Sequence, residues 1–258
     1  QELTPQTFKS EKVAWIAIEP GAVNGDFELQ VGSVLANHIW TDINYNPAFS
    51  QNPVFIAGMN SSFDNDPAGL RFRNASASGV QVVVQEETSK FSDVTHAFEK
   101  VGFAALKPGN ISTALGEVFG EAGVVTCGHN WQTVELNHNY HNPVVVTGAL
   151  DFNDAAPAMA RVRNVTSTSF EIHIDEWEYL DSIHAAETVH YLVVEGSIPF
   201  DETVNCESVP APPTPGIDLI AVDNCDNSVG IDYTIIPNTS NCGEGNEMIR
   251  IWSAHDEC

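Results

Sequence analysis

Glu187-Thr-Val-His-Tyr-Leu-Val-Val-Glu-Gly196 decides the fold, because the chain writes it three times. Glu99-Lys-Val-Gly-Phe-Ala-Ala-Leu-Lys-Pro-Gly109 is a second copy and Glu11-Lys-Val-Ala-Trp-Ile-Ala-Ile-Glu-Pro-Gly21 a third. The leading glutamates stand 88 residues apart both times. A fixed period of this size marks tandem copies of one structural unit. Each copy is a short apolar run ending at Gly or Pro-Gly, the pattern of a strand. Alternation along a strand sends Val13, Trp15 and Ala17 one way and Ala14, Ile16 and Ile18 the other. Both faces are apolar, so the strand belongs inside a sandwich.

Outward from that strand, residues 22–109 and 110–200 align as two repeats. His38-Ile-Trp40 matches His129-Asn-Trp131, and Asn52-Pro-Val-Phe-Ile-Ala-Gly58 matches Asn142-Pro-Val-Val-Val-Thr-Gly148. Leu70-Arg-Phe-Arg-Asn-Ala-Ser76 matches Ala160-Arg-Val-Arg-Asn-Val-Thr166. Gly79-Val-Gln-Val-Val-Val-Gln-Glu-Glu87 matches Ser169-Phe-Glu-Ile-His-Ile-Asp-Glu-Trp177. Short β-rich segments punctuated by Gly, Pro, Asn and Asp, with no sustained helical period, predict an all-β protein of two tandem antiparallel β-sandwich repeats. Opening strands are expected over Phe27 to Leu35 and Val118 to Val125. Residues 1–21 then form a surplus N-terminal strand without a repeat body of its own.

The order Asn-Pro-Val-Val-Val, then Arg-x-Arg-Asn-Val-Thr, then an acidic-aromatic strand, then the Val-x-Tyr strand resembles the H-type lectin fold. It is also similar to tandem repeats of large secreted bacterial proteins. Residues 201–216 are a Pro-rich, semi-rigid linker. Residues 217–258, with Ala221-Val-Asp-Asn-Cys225 and Ala254-His-Asp-Glu-Cys258, resemble an incomplete hyalin-repeat-like module of immunoglobulin type. That resemblance implies a last strand beyond Cys258.

The 258 residues carry 35 acidic against 10 basic side chains, a net charge of −25. Nucleic acid and anionic membrane both require basic surface, so neither is an expected partner. No apolar run approaches a membrane span, and membrane insertion is not expected. Four of the five cysteines, Cys206, Cys225, Cys242 and Cys258, cluster near the end as in a disulfide-stapled module of an oxidising compartment. They allow three pairings. The matching Ala-x-Asp-x-Cys phrases favour Cys225 with Cys258, leaving Cys206 with Cys242. Cys127, in an apolar run, reads as a buried free thiol.

Arg71 with Arg73 and Arg161 with Arg163 project in pairs from one strand face each. They face cross-strand carboxylates, Glu86 and Glu87 in one repeat, Asp175 and Glu176 in the other. The same residues, with Trp40, Trp131 and Trp177, have the chemistry of a glycan patch: planar guanidinium, carboxylate and aromatic face. His96 and His184 precede the repeated strand at equal spacing, where the third copy has Phe8; packed, hydrogen-bonded histidines are expected. Asp64, Asp66, Asp151 and Asp154 are oxygen-rich and read as turns or as calcium ligands. Asn60, Asn74, Asn110, Asn164 and Asn238 head sequons, and Asp181-Ser-Ile183 places Ser182 in a bacterial O-glycosylation-like triplet. No nucleophile elbow, zinc signature or phosphate loop is present, so no enzyme and no required cofactor is expected.

Two functions follow. One is an extracellular structural protein whose surplus strand, Val13 to Ile18, adds to an identical neighbouring subunit and builds a head-to-tail filament. The other is a tandem lectin-like module that docks on polysaccharide through the Arg pairs.

Overall fold

The structure, a computed structural model, describes residues 13–89, 94–112, 116, 118–177 and 179–196, and the backbone of 230–237 and 248–255. The described residues form sixteen strands and no helix. Repeat one contributes β1 (Gly21–Val23), β2 (Leu29–Ala36), β3 (Thr41–Asn44), β4 (Val54–Met59), β5 (Ala68–Ser76), β6 (Gly79–Glu86) and β7 (Glu99–Leu106). Repeat two contributes β8 (Gly109–Ser112), β9 (Val118–Cys127), β10 (Gln132–Glu135), β11 (Pro143–Asp151), β12 (Ala158–Arg163), β13 (Ser169–Glu176) and β14 (Glu187–Glu195). Each element of one repeat has its counterpart in the other, as the aligned sequence segments require.

In repeat one the sheet β1-β2-β7-β4 faces the strands β3-β6-β5; in repeat two β8-β9-β14-β11 faces β10-β13-β12. All pairing within a repeat is antiparallel. The repeated strand is the inner one each time: β7 lies between β2 and β4, and β14 between β9 and β11. The repeats are joined by a short parallel contact, Leu150 with Arg71 and Asp151 with Phe72, which makes one seven-stranded sheet across the boundary.

This junction explains why the repeated strand is apolar on both faces. On β7, Val101, Phe103 and Ala105 fill the core of repeat one with Phe55, Phe72, Val82 and Val84. On β14, Val189, Tyr191 and Val193 fill the core of repeat two with Tyr140, Phe170, Ile172 and Ile174. The opposite faces supply a third cluster that seals repeat against repeat: Leu106 and Val54 from one, Leu192, Ala122 and Ile111 from the other. Sandwich strands of this kind are buried twice and cannot alternate apolar with polar.

The surplus copy behaves differently. Residues 13–19 belong to no strand, contrary to the reading of 13–18 as one. Pairing begins only at β1, which lies on the edge of β2. Ile16 packs against the inter-repeat cluster, but Val13 is 82% and Trp15 75% exposed. A strand exists only where a partner accepts its hydrogen bonds, and this run has none among the described residues. Cys127 is free and 2% exposed; burial first, then the Glu187 charge, pushes its thiol up to about 11.

Residues 198–258 form a separate unit, in which β15 (Gly230–Pro237) and β16 (Met248–His255) make an antiparallel hairpin. Cys206, Cys225, Cys242, Cys258, Asn238 and the linker lie outside the described residues.

His190 marks the junction between repeats. It is 6% exposed, its Nδ1 accepts the Phe55 amide at 2.7 Å, and its ring packs 5.0 Å from Phe72. Burial depresses its pKa from 6.5 to about 4. The folded state therefore binds fewer protons than the unfolded chain between those values, so its contribution is complete above pH 6.5 and lost as pH falls towards 4. Two and a half units correspond to about 3 kcal/mol. His190→Asn keeps an acceptor for Phe55 but does not titrate. Urea denaturation should show wild type losing stability relative to this variant by about 1 kcal/mol per unit over that window. Parallel pH profiles would contradict the assignment.

Candidate functional site

The side chains that the repeats share converge at one place in each sandwich, at the start of the inner strand. Glu99 opens β7 and is 1% exposed. Its carboxylate accepts the amides of Phe63 (2.7 Å) and Asp64 (2.9 Å) and the Ser61 hydroxyl. Glu187 opens β14, also 1% exposed, and accepts the amides of Asn153 (3.1 Å) and Asp154 (2.6 Å). The glutamate thus closes the loop that follows β4 or β11. These loops contain orphan backbone donors, and a buried carboxylate on two of them satisfies both. Burial pushes the Glu99 carboxyl up, but the hydrogen bonds from Ser61, Asp64 and Phe63, with His96 nearby, outweigh it and leave it below the usual range.

Asp64 and Asp154 tie the same loops to the segment before the inner strand. Asp64 Oδ2 accepts the Ala97 amide at 2.8 Å, and Asp154 Oδ2 accepts that of Ala185 at 3.0 Å. The Ala97 amide holds the Asp64 carboxyl below the usual range, and the amides of Ala156 and Ala185 do the same for Asp154. Asp66 and Asp151 do not join them: the Asp66 amide is turned back towards Asp64 Oδ1, and Asp151 Oδ1 binds the next amide, of Phe152. Asp66 lies in a bend, and Asp151 ends β11.

The histidines are packed and hydrogen-bonded, in line with the sequence reading. His96 Nδ1 lies 2.9 Å from Glu86 Oε1, and His184 Nδ1 3.0 Å from Glu176 Oε1. The other ring nitrogens face the inner-strand glutamates, Nε2 of His96 at 3.5 Å from Glu99 and Nε2 of His184 at 3.4 Å from Glu187. Burial raises the Glu86 carboxyl, and His96 opposes the rise. The His-x-Trp motif explains itself here, since His38 Nδ1 sits 3.1 Å from the His96 amide and His129 Nδ1 3.2 Å from the His184 carbonyl. The sequence reading assigned Glu86 and Glu176 to arginines. The recurrent Glu, His and Glu in both repeats was the signal for this grouping.

The arginines divide by repeat. Arg71 is 0% exposed and crosses the boundary to Glu187 at 2.6 Å. It also donates to the carbonyls of Asp151, Asp154 and Ala156, and its guanidinium lies 5.1 Å from the Phe152 ring. Its burial takes it out of reach of a dissolved glycan. Arg161, its counterpart, has a 40% exposed side chain and an ion pair with Asp175 at 3.4 Å. Arg73 and Arg163 stack on Trp40 and Trp131 at 4.0 and 3.9 Å and bond across the hairpin to Gln81 and Glu171. His173 stacks on Trp131 as well, so that indole already has ring and guanidinium neighbours. Trp177 is half-buried, its amide bonding to Pro157 at 3.4 Å, apart from the Arg163 stack. A cleft of about 350 Å³ lies beside it all, lined by Cys127, His129, Asn130, Trp131, Gln132 and His184.

Among the sequons, Asn60, Asn74, Asn110 and Asn164 are exposed, as is Ser182. Asn74, at the register shift within β5, and Asn164, just after β12, have φ of 54° and 49°, a left-handed conformation that asparagine tolerates, and their amides bond to Gln81 and Glu171.

No protein-family model matches the chain, and no solved structure matches it. It is similar to Halomucin of Haloquadratum walsbyi, 30% identical over 153 residues, covering 45% of this chain and 2% of that protein. The chain thus corresponds to a small part of a much longer relative.

The two arginine positions give a direct test. Arg71→Ala leaves Glu187 buried without its cation and should cost about 3–5 kcal/mol in denaturant unfolding. Arg161→Ala removes a half-exposed pair and should cost below about 1 kcal/mol. Equal losses would contradict the difference in their settings.

Proposed function

We propose that this chain is a non-enzymatic structural repeat protein of the cell surface or extracellular space, whose residues 13–18 complete a neighbouring subunit head-to-tail. One observation carries the reading. The repeated strand is an inner strand, flanked on both sides, wherever it has a repeat around it. The same pattern at Val13, Ala14, Trp15, Ile16, Ala17 and Ile18 has no ladder, and exposes Trp15 and Val13. An unpaired apolar run of this kind recruits strands. Strand addition supplies both the hydrogen bonds and the pockets for alternate side chains. In this reading the acceptor is the C-terminal unit that carries the hairpin β15–β16. A contact between different surfaces of identical subunits need not close, and so propagates as a filament. Similarity to Halomucin and the net charge of −25 support a surface location.

The cleft beside Trp131 favours a second reading, a lectin-like module that holds polysaccharide against Trp131 and the half-exposed Arg161 and Arg163. Under that reading, Arg161→Ala with Arg163→Ala abolishes retention on a glycan array without moving Tm by more than a few degrees. Absence of wild-type retention rejects it.

For the filament, deleting residues 1–21 should give dispersed monomers with the two sandwiches intact by circular dichroism. Trp15→Asp should weaken assembly in the same direction. Filaments of unchanged form from the truncated chain, seen by negative-stain microscopy, would contradict the donor role. Loss of folding would show instead that the segment serves its own chain.

A further inference from the structure

The geometry points to a divalent transition-metal site in each repeat, built by Asp154, Glu176 and His184 in the second and by Asp64, Glu86 and His96 in the first. In each group one donor atom per residue lies within 4.8 Å of the other two. Tetrahedral ligands about 2 Å from a shared ion stand about 3.4 Å apart, so a contraction of at most about 1.5 Å closes the site.

The second repeat shows why the group calls for a cation. Glu176 Oε2, Glu187 Oε2 and His184 Nε2 are buried and have no hydrogen-bond partner. The side chains of all three residues are at most 2% exposed. Two of these atoms belong to the group and the third adjoins it at the His184 ring, a cost that native interiors avoid unless something binds there. The His184 ring sharpens the point. Its Nδ1 lies against Glu176 and Nε2 against Glu187, so both nitrogens face carboxylates. A neutral imidazole has one proton for two acceptors, and its bare nitrogen then points a lone pair at a negative oxygen. A metal ion on the ring removes that repulsion, while a carboxylate on the other nitrogen fixes the tautomer, as in carboxylate–histidine–metal arrangements.

Charge agrees. Asp154, Glu176 and Glu187 bring three negative charges to the group, and Arg71 returns one. A divalent ion balances the remaining two. Repeat one places Asp64, Glu86 and Glu99 around His96, with the neutral Ser61 instead of an arginine on Glu99, so a divalent ion there leaves one negative charge. A donor set with one imidazole selects zinc or manganese over calcium, which takes oxygen alone. The third copy of the repeated strand carries Phe8 where the others carry histidine, and so provides no site. The inference is independent of filament formation.

The test uses the full chain, stripped with chelator and dialysed against micromolar zinc in the presence of millimolar calcium. Bound zinc is counted by mass spectrometry of the metal. Two ions per chain are expected, one in His184→Gln, and none in the His96→Gln, His184→Gln double variant, with Tm of the wild type raised by zinc. If the histidine variants misfold, Asp154→Asn serves in place of His184→Gln and should also drop the count to one. Zinc retained equally by the variants would be ions on the acidic surface and would overturn the proposal. So would a wild type that takes up none while nitrogen NMR shows both buried rings doubly protonated at neutral pH, since a proton would then be the cation.

Discussion

Everything in the two sandwiches hangs from a buried carboxylate at the head of the inner strand. Glu99 and Glu187 are fully enclosed, yet each is held by backbone amides of the loop crossing over it. A buried charge is tolerated only when it is paired or multiply hydrogen-bonded, and here the bonding also sets the shape of the loop. That loop carries Asp64 or Asp154, which reaches back to the segment behind the histidine. Strand, loop and histidine therefore hold one another, and the leading glutamate, like the valine two residues on, stands in all three copies.

The same carboxylate makes two repeats into one body. Glu187 receives Arg71 from the preceding repeat, where Glu99 receives Ser61 from its own. Around that pair, Phe152 covers the guanidinium, His190 takes the Phe55 amide, and Leu106 meets Leu192 in the inter-repeat cluster. A buried ion pair contributes little net stability by itself, because desolvation offsets attraction. Its value here is positional. It fixes the parallel contact of Leu150 and Asp151 with Arg71 and Phe72, and a slipped register would strand both charges.

Much of this was legible in the chain. The 88-residue period, the matched Asn-Pro-Val and Arg-x-Arg-Asn phrases, and the doubly apolar strand predicted two β-sandwiches with that strand inside, and β7 and β14 occupy that place. What the sequence hid was which repeat each polar residue served. Arg71 and Arg161 occupy the same motif position, but one is sealed by a neighbour and the other is half-exposed. Alternation on a strand assigns a face; it says nothing about what docks on the edge. The pairing of Glu86 with His96 was equally hidden, because cross-strand geometry offered arginines first. Residues 13–18 mislead in the opposite sense, since their apolar pattern is a strand's and they belong to no strand among the described residues.

Residues 13–18 carry an inner-strand sequence outside any strand among the described residues. An inner-strand sequence gains its ladder from two flanking strands, and the central claim is that a neighbouring subunit provides them. Residue-resolved hydrogen exchange on assembled and on dilute protein measures this directly. The account predicts that the amides of residues 13–18 exchange freely in dilute monomer and become protected in the assembly, while those of β7 and β14 are protected in both. Free exchange of residues 13–18 in the assembled material, or full protection in the dilute monomer, would contradict it.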